Sequence, residues 1–112
     1  MKKKEPIHYD QTIYVIQTFE KFDKLETGWP DFGDINPCGF FPDKESAFDA
    51  MKNNKNDINE NGAYPFGIIE AVKEGIFPSS NVRWFFMYNE DDNKYMMIEE
   101  PKFMQHICGL TM

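Results

Sequence analysis

The sequence predicts an α+β fold, a mostly antiparallel sheet backed by one helix, and three stretches carry that expectation. Residues 43–52, DKESAFDAMK, place apolar side chains at helical spacing behind an aspartate. Residues 66–72, FGIIEAV, are apolar on both faces of an extended chain. Residues 82–89 and 94–99, VRWFFMYN and KYMMIE, flank the polar turn Glu90-Asp91-Asp92-Asn93 and read as an antiparallel hairpin. The resulting order is β-α-β-β-β. With 112 residues the chain forms one domain, large enough for a core and too short for two. Aromatic residues make up 16% of it, which argues against disorder despite the polar composition.

Taken in order, Met1 to Gln11 is a polar, flexible lead-in in which Pro6 discourages regular structure. Thr12 to Phe19, TIYVIQTF, is β-branched or aromatic at nearly every position and forms the first strand. Ile13, Val15 and Phe19 share one face, Tyr14 and Ile16 the other, so the strand belongs inside the sheet. From Glu20 to Phe41 no period emerges. Gly28, Pro30, Gly33, Pro37 and Gly39 alternate with Trp29 and Phe32, the pattern of a long ordered loop pinned by aromatic anchors.

Asp43 is placed to N-cap the helix, and Glu45 complements its positive end. Ala47, Phe48, Ala50 and Met51 fall on the core face, while Lys44, Glu45, Asp49 and Lys52 face water. The Asn-rich run from Asn53 to Asn61 stops the helix, because Asn tolerates left-handed backbone. Within it, Asp57 and Glu60 have capping-box spacing and predict one extra helical turn. In FGIIEAV, Phe66, Ile68 and Val72 point one way and Gly67, Ile69 and Ala71 the other, the second face leaving room for the helix. Glu70 interrupts the first face and must be paired or exposed. Ile76 to Asn81 is a loop. Beyond Pro101, Phe103, Met104 and Ile107 suit one side of a short helical turn that covers a sheet edge.

Chemistry is sparsely signalled. The net charge of −7 disfavours nucleic-acid phosphates and anionic membranes; it suits a basic protein partner, or serves nothing more than solubility. No apolar run approaches membrane length, and Cys38 and Cys108 form no C-x-x-C pair, so the expected state is cytosolic with both thiols reduced. His106 and Cys108 with the distant Cys38 fall short of a zinc set or a nucleophilic pair. No Gly-rich phosphate loop occurs. The expected cofactors and metals are therefore none, and no catalytic residue is assigned. Arg83, the one arginine, either holds an anionic ligand bidentately beside Trp84 or pairs with Glu99 or Glu100 across the hairpin. Trp29 and Phe32 either cap one end of the core or belong to a contact surface.

The runs GFFPDKESAFDAMKNN, NDINE, YPFGIIEAVKEGIFP and RWFF…KY…IEEP, within residues 39–101, resemble small uncharacterised proteins of low-GC Gram-positive bacteria and their phages. The resemblance rests on a helix–turn–strand pattern and implies an intracellular accessory protein with no known activity. The expected function is thus a small acidic binding or regulatory protein without enzymatic activity, in the manner of a phage or mobile-element inhibitor. Its partner would be a protein, basic if the acidic surface imitates DNA. The alternative is capture of a nucleotide-like ligand by the aromatic loop and Arg83, and an enzyme comes third. The expected binding residues are Trp29, Asp31, Phe32, Asp34, Arg83 and Trp84.

Overall fold

The structure, a computed structural model, describes residues 12–73 and 82–102. Their elements are β1 (Thr12–Phe19), β2 (Asp23–Lys24), β3 (Pro30–Asp31), β4 (Ile35–Phe41), α1 (Lys44–Lys52), a 3₁₀ turn (Lys55–Asp57), β5 (Phe66–Lys73), β6 (Val82–Asn89) and β7 (Lys94–Ile98). The main sheet has five strands in the order β4-β1-β5-β6-β7, and every pairing is antiparallel. The fold is α+β, with the sheet backed by one helix. The predicted lead-in, the loop at residues 76–81 and the C-terminal turn around Phe103, Met104 and Ile107 lie outside the described residues, as do His106 and Cys108.

Strand parity builds the two sides of the sheet. Ile16, Ile69, Phe86 and Tyr95 face the helix and close a core against Ala47, Ala50 and Met51, with Phe48, Trp84 and Tyr14 at its margin. Phe19, Ile68 and Phe85 form a second cluster with Phe22, Phe32, Phe66 and Ile98. The sheet is therefore apolar on both sides, as the double-sided strands β1 and β5 require. The first two predicted strands, β1 and β5, pair directly and antiparallel, from Thr12 opposite Lys73 to Phe19 opposite Phe66.

The helix sits close where β5 presents a glycine beneath it. A Cβ on Gly67 would lie 2.9 Å from Met51 Cε, so the bare backbone makes room for the methionine. Asp43 caps α1 by accepting the Ser46 N–H at Oδ2 (2.8 Å) and the Ser46 hydroxyl at Oδ1 (3.0 Å). The helix ends at Asn53, and Asn54 takes the left-handed conformation at φ 48°. The expected capping-box turn at Asp57 does not form. Asp57 itself is left-handed (φ 54°), and its carboxylate accepts the Asn61 N–H (3.1 Å) instead of starting a helix. The helical turn present is the single 3₁₀ turn Lys55–Asp57, which ends at Asp57 rather than starting there. Asn54 Nδ2 then bridges Asn59 Oδ1 and Asn93 Oδ1, both at 3.2 Å, tying this segment to the β6–β7 turn.

The largest departure from expectation concerns residues 20–41, which are not an irregular loop. Their last part, β4, pairs with β1 from Tyr14 opposite Phe41 to Phe19 opposite Ile35, with a bulge between Ile16 and Gln17. Pro37 and Gly39 read as turn residues in sequence, but an edge strand tolerates both because its outward side needs no ladder. The pairing continues past the sheet. Glu20 N–H donates to Asp34 O (3.0 Å) and Lys21 N–H to Phe32 O (3.1 Å), and β2 and β3 pair beyond them. Strands β1 to β4 thus form one long hairpin whose far half leaves the sheet as an arm.

Candidate interaction surface

The arm begins at a locked root. Phe32 packs edge-on against Phe19 (centroids 4.8 Å apart), and Phe22 packs against Phe19 at 5.2 Å and Phe85 at 5.3 Å. Such pairs contribute roughly 0.5–1.5 kcal/mol each beyond the area they bury. Phe32 therefore takes the core-capping role, and Phe22, which sequence reading passed over, shares it. Asp31 accepts the Gly33 N–H (3.1 Å) and sits 2.9 Å from Lys21 Nζ across the arm. The ammonium, helped by that N–H, holds the Asp31 carboxyl below its ordinary pKa, and Asp31 in turn raises that of Lys21. Both groups are solvent-facing, so the pair orients the arm more than it stabilises it.

The arm ends in a turn held by Leu25 N–H to Trp29 O (2.8 Å) and Gly28 N–H to Leu25 O (2.9 Å), with Gly28 at φ 93°. Trp29 at this tip is 61% exposed, and Leu25 opposite it is also exposed. Carboxylates surround the approach: Glu20, Asp23, Glu26 and Asp34 lie on the same arm, with Lys21 and Lys24 interspersed. Asp34 and Glu20, together with Glu60, reach Tyr64, whose hydroxyl is pushed above its usual range by desolvation first and these carboxylates second. Trp29, Asp31 and Asp34 thus belong to one projecting acidic element with an apolar tip.

Arg83 and Trp84 do not join it as a pair. Consecutive residues of a strand point to opposite faces, and here Trp84 lies on the helix side, 5.1 Å from Phe48 with Lys44 Nζ 4.9 Å above its ring. Arg83 lies on the other side, its guanidinium 5.9 Å from the Phe85 ring. The proposed clamp of an anion between Arg83 and Trp84 is therefore not assembled. Arg83 Nε instead donates to Glu100 Oε1 at 2.6 Å, the expected hairpin partner, although the arginine side chain is buried rather than at the surface. Across the ladder in the other direction stands Glu70, fully buried. By register, Glu70, Arg83 and Glu100 follow one another across three adjacent segments, so the buried Glu70 stands opposite the arginine that Glu100 binds. Arg83 is a structural cation between two carboxylates.

Cys38 lies at the bulge of β4, where Asn36 Nδ2 (3.6 Å) and Thr18 Oγ1 (3.5 Å) approach its sulfur. Burial pushes its thiol pKa up, which keeps it protonated and unreactive. Among the described residues, no group of three or more His, Cys, Asp or Glu side chains is placed to hold a metal ion. No described helix is long and apolar enough to cross a membrane.

No protein-family model, curated protein or solved structure matches the chain.

Proposed function

We propose that the chain is a non-enzymatic binding protein that engages a basic protein partner through the tip of the β1–β4 arm. The observation that carries this reading is Trp29, a large ring set in water at the end of an element whose root is fixed in the core. Exposing a tryptophan forfeits the burial energy that the same ring would contribute elsewhere, roughly 1.5–3 kcal/mol for a large apolar side chain. A preorganised aromatic anchor recovers that energy on docking and loses little entropy in doing so. The carboxylates along the arm, and the net charge of −7, favour a cationic partner. An inhibitor carried on a mobile element, covering a surface that otherwise binds nucleic acid, has this chemistry. Capture of a nucleotide-like ligand is favoured less, because Arg83 is engaged by Glu100 and faces away from Trp84.

Paired affinity capture from the native host, with wild type and Trp29→Ala as baits, tests the reading. The expected result is a basic protein held by the wild type, weakened at least about 30-fold in Trp29→Ala and weakened further as salt rises. Equal retention by both baits, or binding indifferent to salt, would remove this reading.

A further inference from the structure

Among the described residues, the two edges of the sheet are protected unequally. Edge strand β4 carries Pro37, which offers no N–H, Gly39 at φ 134° and a bulge against β1. These are the devices by which natural sheets blunt an edge. Edge strand β7 has none of them. Its five residues pair with β6 in unbroken register, from Asn89 opposite Lys94 to Phe85 opposite Ile98. Apolar side chains stand exposed on both of its faces, Met96 at 54% and Met97 at 50%, and Met87 opposite Met96 is exposed as well.

We infer that β7 pairs antiparallel with β7 of a second copy of this chain, joining two sheets into one across a two-fold axis at Met97. Charge selects both the occupant and the register. A two-fold axis perpendicular to the sheet leaves each face on its own side, so facing residues must share parity. With Met97 facing Met97, Met96 faces Ile98, and the same register carried two residues past the end of β7 sets Lys94 against Glu100, each three residues from the centre. Glu100 already ends the row Glu70–Arg83–Glu100, and Lys94 makes no ion pair among the described residues. The second copy's lysine extends that row to a fourth alternating charge, and symmetry repeats the contact on the other side. A register centred on Met96 would instead set Lys94 against Ile98, leaving Glu100 without the extra cation. The contact is a single strand edge, smaller than a standard interface, so the dimer is weak and reversible. The charge of −7 on each copy opposes it, so it is best formed at physiological salt or above.

Sedimentation equilibrium on the full chain, from about 10 μM to 1 mM, reads this directly. The expected result is a monomer–dimer equilibrium in that range. Met97→Lys, which sets two ammonium groups face to face on an exposed site, should weaken it at least tenfold without altering the thermal melt of the monomer. Lys94→Glu should weaken it comparably, whereas Phe40→Lys on the opposite edge should leave it intact. A chain that stays monomeric throughout overturns the inference. So does a dimer that survives Met97→Lys, or one that dissolves in Phe40→Lys instead. A dimer weakened by Met97→Lys but indifferent to Lys94→Glu overturns the register.

Discussion

At the scale of single residues, Trp29 and Tyr95 show how differently two large rings are used. Trp29 contributes little to folding because its ring remains in water. Trp29→Ala should therefore change the unfolding free energy from urea melts by less than about 0.5 kcal/mol, while weakening the proposed partner contact. Tyr95 is buried in the core with its hydroxyl donating to Tyr64 O at 2.5 Å. Burial raises its phenol pKa, as it raises that of the Cys38 thiol. In both cases the folded state keeps a proton that the unfolded chain releases first. Stability is thus undiminished below the unfolded values; it begins to fall as pH passes the ordinary thiol range and falls further through the phenol range, near 10, where Tyr95 contributes a slope approaching about 1.4 kcal/mol per pH unit. Tyr95→Phe should cost about 1 kcal/mol at neutral pH through the lost hydrogen bond and flatten the alkaline limb. Denaturant melts between neutral and strongly alkaline pH would expose this, and an unchanged limb in the variant would assign the alkaline loss elsewhere.

At the scale of elements, α1 depends on its cap and on its fit to β5. Asp43→Ala removes the acceptor of two bonds from Ser46 and should lower stability by about 1 kcal/mol, visible as a shift in thermal midpoint. Gly67→Ala presses a methyl group toward the end of Met51, a flexible group that can yield, and should cost about 1 kcal/mol. Gly67→Val should cost distinctly more, because its branches reach past the movable Met51 terminus. If both substitutions were neutral, the close approach of helix and sheet would not constrain the fold. The helix, its cap and its core face were legible because α1 obeys local rules: an acceptor before the first turn, apolar residues three and four apart, and an Asn-rich stop. Strand β4 was not. Pro37 and Gly39 suppress a strand assignment wherever a ladder is needed on both sides, and whether one side is free is a property of the sheet. The arm was hidden for a related reason, since Glu20–Asp34 is extended by pairing with itself and carries no apolar alternation of its own.

For the molecule as a whole, the charged row across the sheet is the feature whose loss should be felt furthest. Arg83→Ala withdraws the cation standing between buried Glu70 and Glu100 and should destabilise the fold by about 3–5 kcal/mol, measured by urea unfolding. A small loss would mean that Glu70 is satisfied without the guanidinium. The candidate surface was partly readable in advance. An exposed Trp29 beside Asp31 and Asp34 survives as one element, whereas Phe32 went to the core, and Arg83 and Trp84 separated to opposite faces. The parity of a strand already contained that separation, because adjacent residues cannot both line one pocket.

By itself, the sequence determined the α+β class, the capped helix, the double-sided strands β1 and β5 and the β6–β7 hairpin. Each follows from spacing, capping and turn chemistry within a few residues. Only the tertiary structure decided that β4 closes one edge, that the aromatic stretch before it projects as an arm, and that Arg83 lies between Glu70 and Glu100. Those depend on which backbone groups find partners far along the chain. Such pairing turns a proline-bearing stretch into a strand and sets a carboxylate from an apolar row, buried, opposite an arginine.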